Sequence, residues 1–297
     1  MLSSEHFYNY FQLNHFDYKQ ESNRYLLEMD EETFPRTFKG IINGNRKDYD
    51  RTIRMDIRFT FLLSVEALFE FIFALLPEKD GTMNDKRILQ RLAQRKHNNE
   101  EIRKFAKGEK NILDETFSKI LFFTMEQEER QMPFIQHLFY AGVEQDKVKH
   151  DISKCVDVIY RSLKVLASEL ANRTELNSYK HGLKAIPFFK TIEVFDPETE
   201  ERLMEYDMEN TLTNYVWDAK NKVSRFETQA LDYERDILLT HWTSNLIANM
   251  VQSRKSMFDS GKGKSAHIMF FSEKEWERIK KANVKAQRFT MKFEHDS

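Results

Sequence analysis

Before residue 188 the hydrophobic positions recur every three or four residues, the period of helices with one buried face. The clearest case is Val148, Ile152, Cys155, Ile159, Leu163, Leu166 and Leu170, one apolar stripe on a helix expected from about Glu144 to Ala171. "FTFLLSVEALFEFIFALL", Phe59 to Leu76, predicts the apolar half of a long helix starting near Arg46 and closed by Pro77 and Lys79-Asp80-Gly81. The chain up to about Met29 reads as helix, with Ser3 or Ser4 as its N-cap. Two or three shorter helices are expected between Met83 and Phe123, and "MEQEERQMPF" reads as another, interrupted near Pro133.

After Pro187 the pattern changes. "KTIEVF" and "RLMEYD" have strand-like content, and the Asp196-Pro197-Glu198-Thr199 turn between them predicts a hairpin. "NYVWD" adds a candidate third strand. A long helix is expected from about Ala219 to Phe258 on the spacing of Phe226, Ala230, Tyr233, Ile237, Trp242, Leu246 and Met250. "HIMFF" reads as a strand and Ser272 as the cap of a final helix. The expected architecture is mainly α, a helical bundle over 1–188 with a smaller C-terminal α+β part over 189–297 that contains the hairpin and further helices.

Composition agrees: 8 Gly and 5 Pro in 297 residues leave long helices uninterrupted, and 25 Phe imply an aromatic-rich core. The single cysteine, Cys155, rules out an intrachain disulfide and a cysteine-based zinc site, which fits a reducing, cytoplasmic setting. The first residues lack the basic and apolar regions of a signal peptide. Glu66 and Glu70 interrupt the Phe59–Leu76 run, so it is expected as a core helix rather than a membrane span. A net charge of −2 gives no global field for nucleic acid, although Asp85–Lys110 and the tail from Arg254 are basic and Ile192–Asn210 is acidic.

Most chemical motifs fail on spacing. Gly261-Lys262-Gly263-Lys264-Ser265 lacks the upstream glycine of a phosphate-binding loop, because that position is Phe258. The nine histidines show no metal-ligand spacing, and no cofactor is implied. His137 and His150 are expected exposed, His241 is expected as a satisfied core or boundary residue, and Cys155 as a buried, inert thiol.

"ELNSYKHGLKAIP", Glu175 to Pro187, is the exception. Lys180 and His181 in a last helical turn, Gly182 at the left-handed position and Pro187 beyond are ordinary C-terminal punctuation. Yet Asn177 and His181 are four apart, on one face, with Arg173 four before Asn177, and that face prolongs the apolar stripe. Polar residues continuing a core stripe point to a site. An imidazole titrating near pH 6.5 can move protons at neutral pH, with Asn177 orienting it.

These residues resemble the HEPN superfamily of prokaryotic helical proteins, whose motif is often written Arg-Asn-x-x-x-His at the end of a core helix. The resemblance spans about Arg46 to Ile186. It implies a metal-independent endoribonuclease of a toxin–antitoxin or phage-defence system, with RNA as substrate, a homodimer joining two motifs, and a cognate antitoxin or regulatory protein as partner. It casts His181 as general acid–base, Asn177 as its orienter, and Arg173 or Lys180 as the cation facing the phosphate. "LLSVEALFEFIF" is similar to a family core helix carrying a polar residue near the site, which makes Glu66 a supporting group. This chain departs from the motif in one place: Leu176 stands directly before Asn177, and the nearest upstream arginine, Arg173, is eight residues before His181. The alternative is a non-catalytic helical binding protein in which Lys180-His181-Gly182 is only a helix end and the C-terminal hairpin module is the partner surface.

Overall fold

Ser3 starts the first helix as expected: its hydroxyl accepts from the His6 backbone N–H, and His6 reaches back to it. The computed structural model describes residues 3–34, 45–83, 85–94, 98–125, 128–143, 145–171, 176, 185–186, 191–196, 198–208, 210–218, 222–258, 267–281 and 288–294. The helices are α1 (Ser4–Tyr10), α2 (His15–Glu28), α3 (Arg46–Leu75), α4 (Ile88–Ala93), α5 (Asn99–Lys107), α6 (Ile112–Phe117), α7 (Phe134–Tyr140), α8 (Gln145–Ala171), α9 (Tyr233–Phe258) and α10 (Glu273–Ile279). The strands are β1 (Ile120–Met125), β2 (Glu128–Pro133), β3 (Ala185–Ile186), β4 (Thr191–Phe195), β5 (Arg202–Asp207), β6 (Thr211–Asp218), β7 (Val223–Ala230) and β8 (Arg288–Glu294). The protein is mainly α with a smaller α+β part. Among the described residues no helix is long and apolar enough to cross a membrane.

The chain gathers into two compact units whose segments interleave in sequence. The first comprises 1–17, 62–172 and 239–280. Its core is aromatic: Phe105 meets Phe69 and Phe117 edge-on, Phe117 stacks on Phe134, and Trp242 packs on Phe271 and Trp276. The α8 stripe is buried at Ile152, Cys155, Ile159, Leu163, Leu166 and Leu170. Gly108 ends α5 at φ 68°, a left-handed position that glycine adopts without a Cβ clash. Ser272 caps α10 by accepting from the Glu275 N–H, as its sequence predicts.

The second unit comprises 18–61, 173–238 and 281–297. Ile53, Ile57 and Ile237 form its apolar cluster, with Leu26, Leu27, Tyr49 and Tyr233 against it. The sheet order is β3-β6-β7-β8, antiparallel throughout, while β4 and β5 pair separately. The β4–β5 hairpin forms where its turn signal placed it: the Asp196 carboxylate accepts from the Glu198 and Thr199 backbone N–H groups at 2.8 and 3.0 Å. Arg58 and Asp236 make a buried ion pair at 3.0 Å, with the guanidinium also over the Phe61 ring.

Four expectations are corrected. The initial helix is two, α1 and α2, separated by Phe11–Asn14. The helix expected in "MEQEERQMPF" is strand over Glu128–Pro133, within the part expected as a helical bundle, because β1 and β2 pair from Ile120↔Pro133 to Met125↔Glu128; Pro133 closes β2 and also stands at the N-cap of α7. The long helix begins only at Tyr233, since 223–230 is strand β7, in which Thr228 bonds its cross-strand partner Thr213 at 2.8 Å. "HIMFF" forms no strand over 267–271: the Asn249 side chain takes both backbone groups of Met269, donating at 2.8 Å and accepting at 2.9 Å, where a neighbouring strand would otherwise bond.

Candidate functional site

Of the residues singled out by sequence, His181, Asn177, Arg173 and Lys180 lie outside the described residues. Leu176, which occupies the place of the motif arginine, is helical and fully buried. Glu66 is half-buried on α3 and Glu70 is exposed one turn later. The α8 stripe that leads towards Asn177 is a core stripe as far as Leu170.

Three polar clusters in the first unit were not legible in the sequence. In one, His241 Nδ1 and Ser244 Oγ both meet the Asp17 carboxylate at 2.6 Å, and Ser244 also reaches the Leu13 carbonyl at 3.3 Å. Both partners turn to the same acid. This is a hydrogen-bonded latch between α2 and α9, unlike a nucleophile relay, where the serine must bond the imidazole. His241 is therefore the satisfied boundary residue its position predicts.

The second cluster corrects the expectation for His137, which is fully buried rather than exposed. Its ring meets Phe123 edge-on at 4.7 Å, and its Nδ1 lies 3.4 Å from a terminal nitrogen of Arg254. Arg254 is also fully buried and donates to the Leu138 carbonyl. Burial takes this pair away from any solvent-borne substrate.

In the third, Asp114 accepts from Lys164, Asn111 and Tyr160 at 2.8, 2.7 and 2.8 Å. Burial pushes the Asp114 carboxyl up, but these three hydrogen bonds outweigh it and hold the group below its ordinary value. Burial, and then the bond to Asp114, push the Tyr160 phenol up to about 12. Lys164 also bonds the Phe105 carbonyl at 2.8 Å and sits 3.8 Å from the centre of the Phe105 ring. Its donors are used within the fold.

An open groove of about 510 Å³ lies in this unit between α8 and the Phe270–Glu273 segment. Its floor holds Cys155, Val158 and Phe271, all buried, and its rim is charged. Burial pushes the Cys155 thiol up, so it is not a ready thiolate, in line with the inert role read from the stripe. Beneath it burial, and then Cys155 itself, push the Tyr140 phenol up, and that hydroxyl donates to the Met269 carbonyl at 3.1 Å. Among the described residues no three His, Cys, Asp or Glu side chains converge as a metal-binding group. Compared with family models, curated proteins and solved structures, the chain matches none.

Proposed function

We propose that this chain is a helical binding protein rather than a working ribonuclease, with the C-terminal hairpin module as its partner surface. The observation that carries this reading is the burial of Leu176. A ribonuclease of the resembling kind needs a guanidinium beside its Asn-x-x-x-His to offset charge on the phosphorane, and such preorganised donors are often the largest catalytic contribution. Here that position is an aliphatic core residue. The hairpin supports the other half of the reading: Phe195, Leu203 and Met204 are each at least half exposed on β4–β5. Arg202 is held there by Glu193 and Glu205 at 3.1 and 2.8 Å, leaving a mainly acidic surround for a basic partner.

The second reading is the metal-independent endoribonuclease of toxin–antitoxin or phage-defence type, favoured by Asn177-x-x-x-His181-Gly182. In it His181 relays the 2′-hydroxyl proton, Asn177 orients the ring, Arg173 or Lys180 meets the phosphate and Glu66 supports the site, within a cytoplasmic homodimer controlled by a cognate antitoxin. RNA incubated with wild type and His181→Ala in EDTA separates the two. The binding reading expects no cleavage that depends on His181. Cleavage lost on His181→Ala overturns it, because a positioned proton-transfer group is worth about 10²–10⁴-fold in rate.

A further inference from the structure

We propose that strand β1 joins a second copy of this chain edge to edge, as an antiparallel pair with its two-fold axis at Phe122. β1 and β2 form a two-stranded sheet, so each has one side without a neighbouring strand among the described residues. Their register runs unbroken from Ile120↔Pro133 to Met125↔Glu128. Its phase is fixed at one end: the Phe134 N–H donates to the Lys119 carbonyl at 2.8 Å, and these two residues continue the same register. In an antiparallel pair, positions that bond directly alternate with positions that do not. Lys119, Leu121, Phe123 and Met125 therefore turn their backbone groups to β2, and Ile120, Phe122 and Thr124 turn theirs to the open side. Side chains alternate between the two faces of the sheet in the same rhythm. Leu121 is buried and Phe123 meets the His137 ring, whereas Ile120 is 51% exposed and Phe122 76%.

The two edges of this hairpin differ. On β2 the outward positions are Glu129, Gln131 and Pro133: a carboxylate, an amide and a residue with no N–H to give. Charge and proline keep an exposed edge from pairing. On β1 the outward positions are Ile120, Phe122 and Thr124, in an uncharged strand of six residues with no proline and no bulge. Such an edge is a template for another strand, and its own pattern selects a copy of itself. A two-fold axis perpendicular to the sheet keeps each face continuous and sets outward positions against outward positions. Centred on Phe122, it places Phe122 against Phe122 of the second copy and Ile120 against Thr124, with Cα atoms about 5.5 Å apart. The three outward N–H and three outward C=O groups of each strand are then all paired. A slip of two residues leaves one of the three positions facing a residue outside β1. The charges agree: Lys119, exposed just before the strand, comes opposite Met125, whose register partner on β2 is Glu128. Each end of the joint thus brings an ammonium to the acidic end of the other hairpin. This joint uses neither the β4–β5 hairpin nor His181, so it stands apart from both functional readings.

The test is sedimentation equilibrium of the full chain from about 1 µM to about 0.5 mM, a span that reaches the weak association of a small interface. Wild type should pass from monomer to dimer as concentration rises. Phe122→Lys sets two ammonium groups directly opposite each other and should weaken the dimer at least about tenfold. Ile120→Lys should weaken it less, because Thr124 rather than a second lysine faces it. Both side chains are exposed, so each variant should keep the wild-type urea midpoint at low concentration. Amide hydrogen exchange, read by NMR on wild type, tests the edge itself and needs no substitution. At high concentration the Ile120, Phe122 and Thr124 amides should gain protection, while Leu121, Phe123 and Met125, already turned to β2, should change little. A chain that stays monomeric throughout overturns the proposal and leaves the edge to an extended segment of a different protein. A dimer that Phe122→Lys does not weaken, or in which those three amides exchange as fast as in the monomer, forms elsewhere on the chain and overturns it as well.

Discussion

Arg254 is fully buried and donates to the carbonyl of Leu138, so a guanidinium from α9 closes the C-terminal end of α7. A helix leaves its last four carbonyls without intrahelical partners. Here the Phe139 carbonyl takes the Ser253 hydroxyl at 2.7 Å, and the Tyr140 carbonyl takes the Val143 N–H at 3.1 Å. A seven-residue helix this short has little stability of its own. Its seat is made by the side chains that receive its end.

That arrangement sets the first prediction. Arg254→Ala should lower stability by about 1–3 kcal/mol for each carbonyl left buried and unbonded, with further loss from the missing packing. Ser253→Ala removes one neutral donor and should cost less. Urea denaturation followed by circular dichroism ranks the two, and an Arg254→Ala midpoint equal to wild type would show that α7 does not depend on this end.

Gly142 lies just beyond the same helix. A Cβ built there would stand 1.7 Å from Ser256 Oγ, 2.9 Å from Ser256 Cβ and 3.0 Å from the Ser253 carbonyl oxygen. Gly142→Ala should therefore destabilise by about 1–3 kcal/mol, the range for overpacking. Ser256→Ala in the same chain removes the nearest atom but leaves the other two contacts, so it should restore only part of the loss. Full recovery in the double variant would mean that the hydroxyl was the sole obstacle.

These contacts show where a one-dimensional pattern stops being informative. The α8 stripe was legible because six apolar positions from Ile152 to Leu170 repeat at helical spacing, and the β4–β5 turn because Asp196 carries its own acceptor to the turn N–H groups. Strand β7 was not, since Phe226, Ala230 and Tyr233 fit a helix as well as Ser224, Phe226 and Thr228 fit an alternating strand; pairing with β6 and β8 decided it. His137 read as a loop-side residue because its neighbour Arg254 is 117 positions away. The groove joins Arg161 to Glu273 across 112 positions, so its walls could not be matched in advance. For Asn177 and His181 the sequence remains the source, and only the burial of Leu176 beside them adds to it.

The Tyr160–Asp114–Lys164 cluster carries a pH prediction. The Tyr160 phenol moves from 10.0 to about 12 in the folded protein. Between those values the unfolded chain has released a proton that the folded chain keeps. The contribution is therefore complete below about pH 10 and is lost as pH rises through about 12. Tyr160→Phe should make the alkaline loss of stability shallower over that window without abolishing it, because Tyr140 is also pushed up by burial. On the acid side the sign reverses: Asp114 is held below its ordinary value, so its contribution is present above that value and lost as pH falls through the folded one. Denaturation midpoints across pH check both limbs, and an unchanged alkaline slope in Tyr160→Phe would remove the cluster from the account.

Leu176→Arg gives the sharpest test of the proposed function, because it restores the order Arg-Asn-x-x-x-His around Asn177 and His181 in this chain. On the binding reading the substitution should fail in a particular way. Position 176 is fully buried, and an ion taken out of water without a partner costs several kcal/mol even after the protein relaxes. The expected result is a strongly lowered urea midpoint and no RNA cleavage. Leu176→Met, which keeps volume and polarity, should cost under about 1.5 kcal/mol and serves to show that the position tolerates repacking but not charge. If Leu176→Arg instead folds near wild-type stability and cleaves RNA in EDTA, while losing that cleavage when combined with His181→Ala, the arginine position is open to the site. The helix end would then be a ribonuclease motif lacking one residue, and the binding reading would fall.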